Sequence, residues 1–273
     1  MFYKVLFDQG SGWFDPQRKM KIVFKDIKRA SPNHNVEYQE FSGSNGSRPI
    51  NESFKSFEIQ FDIDIFFESE WEKELLETEL IELIFKKGSY YITHELSPGK
   101  MYEVYPTSFE QNEGYNTYQN YTVIFNVFKG CSESLSTTLK AFSLDESWQF
   151  SQGLVSEDYE YVHQTSRFAI FNAGDFTIDP RENYLKIKIE GMSYGNLTVF
   201  NATTGERFIY RGSLNSVSGE TLTLDGVYPL KNGIHCGIDT NHGLISLVPG
   251  ENKIEISNAS RIKTAWDFRF LYK

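Results

Sequence analysis

The stretch from Phe54 to Phe67 alternates between apolar and polar residues over most of its length. Its apolar positions are Phe57, Ile59, Phe61, Ile63 and Ile65, and the positions between them are Glu58, Gln60, Asp62 and Asp64. A period of two residues is the signature of a β-strand with one packed face and one solvated face. The stretch therefore predicts a half-buried strand in a sheet.

Composition favours a fold built mainly from strands. Aromatic residues make up 16% of the 273 residues, with 23 Phe and 16 Tyr against 4 Met, a bias that suits strands better than helices. A hydrophobic fraction of 40% excludes intrinsic disorder. The net charge of −10 argues against a nucleic-acid groove, because such a groove needs clustered Lys and Arg.

One segment departs from the strand pattern and predicts a helix near residues 69–87. Ser69 is expected to be the N-cap, Glu72 to complete a capping box, and Gly88 to follow the C-terminus. The expected apolar face consists of Leu76, Leu80, Leu83 and Ile84, flanked by Trp71 and Leu75. We expect this helix to cover one face of the first sheet.

Two domains are predicted, residues 1–150 and 151–273. The first is expected to be a β-sandwich-like domain with the one helix. From Phe168 onwards, about nine short strands follow at nearly regular spacing, with Asn232-Gly233 as a type I′ turn and Leu244 to Leu247 as one of the strands. This spacing indicates an antiparallel β-sandwich or jelly roll.

No motif predicts catalysis. Asp62 with Asp64, and Glu95 beside His94, are the carboxylates that could act as general acid and base. Alternation explains Asp62 and Asp64 as a solvated strand face, and nothing nearby in sequence would push two pKa values apart. A wall-degrading hydrolase is the weakest alternative.

No metal, cofactor or membrane span is expected. The one cluster resembling metal ligands, His235, Cys236, Asp239 and His242, matches no usual zinc spacing. Cys131 is distant in sequence, so both cysteines are expected to be buried thiols. The sequence shows no secretory signal, and no apolar run approaches the roughly 20 residues that cross a bilayer.

Candidate contact residues form three groups. Loops rich in Tyr and Asn, Phe41 to Asn51 and Tyr105 to Asn120, supply five candidates for a subunit interface: Phe41, Asn45, Tyr105, Tyr115 and Tyr118. Lys19, Lys21 and Lys25 share a strand face that either is simply solvated or meets an acidic neighbouring subunit. Tyr194, Tyr228 and Trp266 are candidates for a saccharide-stacking platform.

The order of signals along nearly the whole chain resembles the siphophage distal tail protein (Dit) family. In the first part, the signals are the alternating strand, the acidic helix and three further segments: Lys25 to Pro32, Glu40 to Gly46 and Glu95 to Tyr102. In the second part, the signals are Phe171 to Asp175 with Pro180, Asn201 to Gly205, and Leu247 to Ile256.

This resemblance implies a non-enzymatic structural protein of a long, non-contractile phage tail. The N-terminal domains would form a hexameric ring, and the C-terminal domain would be a galectin-like sandwich. The implied partners are copies of itself, the tail tube protein, the tail-associated tip protein and, in some members, a receptor-binding protein. DNA would only pass through the channel of a virion tail assembled in the host cytoplasm. The alternative is a carbohydrate-binding or receptor-binding β-sandwich module.

Overall fold

The computed structural model describes residues 2–140 and 159–273. The chain forms two compact units, Met1–Ser132 with Lys273, and Glu133–Tyr272. Both are built from antiparallel strands, which confirms the predicted mainly β fold class. The predicted domain boundary between residues 150 and 151 lies outside the described residues. Among the described helices, none is long and apolar enough to cross a membrane.

The first unit contains nine strands and one α-helix. They are β1 (Val5–Asp8), β2 (Trp13–Phe14), β3 (Ile22–Arg29), β4 (Asn33–Glu40), β5 (Ser47–Lys55), β6 (Phe57–Phe66), α1 (Glu70–Ile84), β7 (Tyr90–His94), β8 (Lys100–Tyr115) and β9 (Tyr118–Val127). Seven strands form one antiparallel sheet in the order β2-β1-β7-β8-β9-β6-β3. Strands β4 and β5 form a separate two-stranded sheet.

The seven-stranded sheet curls back on itself. The backbone N–H of Tyr3, just before β1, donates to the carbonyl of Phe24 in β3 at 2.9 Å. Two strands far apart in the strand order therefore meet, which makes the sheet barrel-like. Its interior is filled by aromatic rings, with Phe61 5.6 Å from Phe24 and 5.5 Å from Phe125 between ring centroids.

Strand β6 confirms the alternation in the sequence. Its five apolar positions, Phe57, Ile59, Phe61, Ile63 and Ile65, are all buried in the core. The strand pairs with β9 in unbroken register from Phe57 opposite Val127 to Phe66 opposite Tyr118. The rest of the first unit thus packs against the buried face of β6.

Helix α1 begins at the predicted cap and ends three residues earlier than predicted. The Ser69 hydroxyl accepts from the backbone N–H of Glu72 at 3.2 Å. The Glu72 carboxylate accepts from the N–H of Glu68 at 2.7 Å, one residue before the position that a capping box predicts. At the other end, the Tyr90 hydroxyl donates to the Ile84 carbonyl at 2.8 Å and occupies a helix-terminal acceptor.

The buried side of α1 is narrower than the sequence predicts. Leu76, Leu80 and Ile84 join the core of the first unit, as expected. Trp71 and Leu75, predicted to flank this face, are instead 88% and 58% exposed. They lie four residues apart on the side of the helix that faces solvent.

Replacing Ser69 by alanine is expected to destabilise the first unit by about 1 kcal/mol, because the Glu72 N–H loses its acceptor at the helix N-terminus. Urea unfolding of the full chain measures the change. Thr78→Ala is the matched control. The Thr78 hydroxyl donates within the helix to the Glu74 carbonyl at 2.9 Å, so its removal is expected to leave stability unchanged or slightly raised. Equal losses in both variants would contradict the capping role.

The second unit contains two antiparallel sheets and a further pair of short strands. Strand β10 (Ser132–Ser134) begins where the first unit ends, and it pairs with β22 (Leu271–Tyr272), the last strand. Between them lie β11 (Val162–His163), β12 (Arg167–Asn172), β13 (Leu185–Ser193), β14 (Leu197–Asn201), β15 (Arg207–Tyr210), β16 (Leu214–Asn215), β17 (Leu222–Asp225), β18 (Tyr228–Lys231), β19 (Ile234–His235), β20 (Gly250–Ser257) and β21 (Ser260–Phe268). One sheet has the order β11-β21-β13-β17-β18-β19, with β16 beside β13, and the other has the order β12-β20-β14-β15.

The two sheets face each other as a sandwich. Phe168 of β12 lies 6.0 Å from Trp266 of β21 across the core. The predicted turn at Asn232-Gly233 is present, with both residues at positive φ between β18 and β19. The predicted strand from Leu244 to Leu247 is wrong, because this segment forms only an isolated bridge between Leu247 and Ile178.

Three buried asparagines hold the loops of the second unit. Asn172, Asn201 and Asn252 are each at most 1% exposed. The side-chain amide of Asn172 donates to the Leu247 carbonyl at 3.0 Å, that of Asn201 to the Ser246 carbonyl at 2.8 Å, and that of Asn252 to the Val248 carbonyl at 2.8 Å. The three sequence signals of the second part thus converge on one loop, residues 246–250.

Candidate interaction surfaces

Strands β4 and β5 form an exposed hairpin, residues 33–55, called the hairpin arm below. In the described part of the chain, each of these strands pairs only with the other. Tyr38 and Ile50 are 62% and 59% exposed, and Phe41 in the connection is also exposed. Asn45 lies in the same connection. Two of the five predicted interface residues, Phe41 and Asn45, therefore lie at the tip of this hairpin arm.

The segment predicted as an interface loop from Phe41 to Asn51 is partly a strand. Residues from Ser47 onwards belong to β5 and pair with β4, with Ser47 opposite Glu40. The sequence does not indicate a strand here, because β5 contains Pro49 and is mostly polar. Among the described strands, β5 pairs with β4 alone, so its pairing is local.

Phe66, Tyr115 and Tyr118 form an aromatic patch at the far end of β6, β8 and β9. The Tyr118 ring lies 6.2 Å from the Phe66 ring and 5.4 Å from the Tyr115 ring. Tyr115 is 69% exposed. The predicted loop from Tyr105 to Asn120 is in fact two paired strands, with Tyr115 and Tyr118 flanking their turn.

Tyr105 lies apart from this patch. It is opposite Asn126 in the β8–β9 pair, and its ring packs 5.4 Å from the ring of Phe128. The five predicted interface residues therefore occupy three places in the first unit: the hairpin arm, the aromatic patch and the position of Tyr105.

The three predicted contact lysines all have partners within their own chain. Lys21 lies 2.7 Å from the Glu72 carboxylate, and this hydrogen bond raises the pKa of Lys21. The Lys25 ammonium lies 3.2 Å from the Asp64 carboxylate and 5.8 Å from the centre of the Tyr118 ring. Lys19 lies over the ring of Phe14. Of the three, Lys25 adjoins the aromatic patch.

Asp62 and Asp64 each form an ion pair with a lysine, Asp62 with Lys28 and Asp64 with Lys25. Burial acts to raise the pKa of Asp62, but hydrogen bonds from Gln60, Lys28 and Thr122 outweigh it and lower the pKa. Asp64 corrects the prediction of a wholly solvated face, since it is buried and accepts from the Asn120 amide at 2.8 Å. Two carboxylates held by cations and amides are poorly suited to proton transfer.

His94 is buried in the core of the first unit and does not work with Glu95. The Glu95 carboxylate is at the surface, where it accepts from the backbone N–H of Lys4 at 3.0 Å. The His94 ring stacks on Tyr102 with 5° between the planes. Both ring nitrogens of His94 and the Tyr102 hydroxyl lack hydrogen-bond partners in the structure. Burial, with repulsion from Arg29, lowers the pKa of His94 to about 4.

The predicted stacking platform is not a single surface. Trp266 corrects that prediction, because it is fully buried and its indole N–H donates to the Thr264 hydroxyl at 3.2 Å. Tyr228 is exposed and contacts His235 edge-to-face. Tyr194 is 98% exposed.

The described residues contain no group of three or more His, Cys, Asp or Glu side chains that could hold a metal ion. In the cluster considered from the sequence, Cys236 is a buried free thiol whose pKa is raised by burial. His235 lies at the surface beside Tyr228. Cys131 is also buried and is not part of a disulfide.

Residues 17–127, which include the hairpin arm, α1 and the aromatic patch, match the family described as phage tail protein RIFT-related domain. The first unit is a phage tail domain. This match confirms the resemblance to a siphophage tail protein found in the sequence. The chain is accordingly a structural component of a phage tail, located in the virion tail.

The fold is shared with a solved structure. The crystal structure of the SPP1 Dit protein, described as a paradigm of hub adsorption apparatus in phages that infect Gram-positive hosts, is similar with a TM-score of 0.72 and 12% identity. The match covers 99% of this chain and 100% of that chain. A chain of the phage P2 baseplate with Ca matches with a TM-score of 0.47 and 12% identity, over 99% and 98% of the two chains. A search of curated proteins finds no significant match.

Proposed function

We propose that the chain is the distal tail hub of a long, non-contractile phage tail. The phage tail domains of six copies of the chain form a ring. This ring continues the tail tube and joins it to the tail tip or baseplate. The partners are copies of the same chain, the tail tube protein and the tail-associated tip protein, with a receptor-binding protein as a further candidate. The role is structural and involves no catalysis.

The observation that carries this proposal is the apolar surface that the phage tail domain leaves open. The hairpin arm and the aromatic patch expose five large apolar or aromatic side chains, Tyr38, Phe41, Ile50, Phe66 and Tyr115. Exposed clusters of this kind mark surfaces that become buried on assembly. The fold shared with the SPP1 Dit protein supports assembly as a hub.

Net charge is consistent with a tube that conducts DNA. The chain carries a net charge of −10, which repels the phosphates of DNA and disfavours retention of a passing duplex. The same charge keeps free copies apart until complementary surfaces meet.

Purified protein is expected to form rings with a central hole, because the exposed surface of the phage tail domain is covered only in an assembly. Multi-angle light scattering should give about six times the chain mass of 31.6 kDa, and negative-stain images should show the ring. Ile238→Ser is the control, since Ile238 is exposed on the second unit and its loss should leave the mass unchanged. A monomer at every concentration would contradict the proposal.

A further inference from the structure

We propose that the hairpin arm of one copy packs on the aromatic patch of the next copy, head to tail. This inference rests on the proposed ring and names the two surfaces that meet in it. The arm contributes Tyr38 and Ile50, and the patch consists of Phe66, Tyr115 and Tyr118.

The hairpin arm is the element that most needs a packing partner. A two-stranded hairpin alone is marginally stable in water. This one has strands of 8 and 9 residues whose side chains are nearly all exposed. At about 3.4 Å per residue, such strands reach roughly 30 Å, which is long enough to extend over a neighbouring subunit.

A closed ring needs two different surfaces on every subunit. Each copy must present one surface to the copy before it and another to the copy after it, because a head-to-tail interface is heterologous. The phage tail domain has a projecting element, the hairpin arm, and an exposed cluster of rings on its barrel, the aromatic patch. Each copy thus provides two different surfaces, the hairpin arm and the aromatic patch.

Charge selects the aromatic patch over the outer face of α1, where Trp71 and Leu75 are exposed. The hairpin arm carries three glutamates against Arg48 and Lys55, so it is slightly acidic. Helix α1 carries six glutamates and one lysine, and like charges across an interface are repulsive. Beside the patch, Lys25 lies over the Tyr118 ring and forms an ion pair with Asp64, so this pair adds no net negative charge there.

Tyrosine is also the suitable residue for the receiving side. A tyrosine ring supplies a large apolar area with few rotatable bonds, and its hydroxyl can bond to an open strand edge. The two rings of Tyr115 and Tyr118 can therefore cover apolar side chains of the arm and also bond to its backbone.

Complementation between two defective variants tests the pairing. The arm variant carries Tyr38→Ser and Ile50→Ser, and the patch variant carries Phe66→Ser and Tyr115→Ser. Each alone is expected to be monomeric by light scattering, with an unchanged far-UV spectrum. Mixed in equal amounts, they should give dimers and no rings, because one intact arm meets one intact patch and the second interface is doubly defective.

Cysteine cross-linking locates the contact with a single residue changed on each of the two surfaces. Protein with Ile50→Cys is mixed with protein carrying Tyr115→Cys and oxidised, and a disulfide-linked dimer is expected. Native Cys131 and Cys236 are buried, so they are shielded from the oxidant. Trp71→Cys replaces Tyr115→Cys in the control, which places a thiol at a still more exposed position on α1 and is expected to give at least ten-fold less dimer.

The outcomes separate this inference from the proposed function. If wild type never forms rings, both fail. If wild type forms rings and either double variant still does, or if the α1 cysteine cross-links as well as the patch cysteine, the ring stands and the arm-to-patch contact is wrong.

Discussion

Replacing Asn252 by alanine is expected to destabilise the second unit by about 3–5 kcal/mol, because several buried polar groups lose their partner at once. The Asn252 amide donates to the carbonyls of Val248, Gly250 and Ile170. Its oxygen accepts from the Val248 N–H at 3.0 Å and the Asn201 amide at 3.2 Å. The bonds to the Ile170 carbonyl and the Asn201 amide are buried, so alanine leaves these two groups without their partner in the interior.

Urea unfolding of the full chain checks this loss, and Asn215→Ala is its matched control. Asn215 is exposed, and its side-chain oxygen accepts one hydrogen bond, from the Val217 N–H at 3.1 Å. Its replacement is expected to cost about 1 kcal/mol or less. If Asn252→Ala costs no more than Asn215→Ala, the buried asparagines do not hold the loop at residues 246–250.

Acidification from pH 7 to pH 5 is expected to cost the first unit about 2 kcal/mol through His94 alone. His94 has a pKa of about 4 in the folded chain, against 6.5 when exposed. Between those two values the unfolded chain binds the proton and the folded chain does not. The stabilisation is therefore complete above pH 6.5 and is lost progressively as the pH falls towards 4.

His94→Phe is the variant that isolates this dependence. It keeps a ring stacked on Tyr102 and removes the titrating group, so its stability should change less than that of wild type over the same interval. Urea unfolding at both pH values measures the difference. Hydrogen exchange in peptides from β1 and β7 locates it, since Val5 lies opposite His94. Equal pH dependence in both proteins would show that His94 does not set acid sensitivity.

The sequence could predict the elements whose signals are local. The period of two in β6 and the Ser69 cap of α1 depend on residues within a few positions, and both are present. The turn at Asn232-Gly233 follows from the tolerance of both residues for positive φ. The resemblance to distal tail proteins came from the order of several such signals.

The parts that the sequence could not predict depend on distant contacts. Trp266 is buried because it faces Phe168 of the opposite sheet, which one strand alone cannot reveal. Strand β5 is polar and contains Pro49, so pairing with β4 and not propensity makes it a strand. The aromatic patch joins Phe66 to Tyr118 across 52 residues of chain, and only the β6–β9 register brings these rings together.

The strand order of the barrel also sets a sequence of events during synthesis. Strand β1 pairs with β7, and β6 pairs with β9, so the sheet is incomplete until Val127 has been made. At about 5–20 residues per second, that is roughly 6–24 s after β1 has been synthesised. The hairpin arm needs only residues 33–55, and a hairpin forms in about 1–10 μs. Its strands can therefore pair on the nascent chain well before the barrel that bears them has closed.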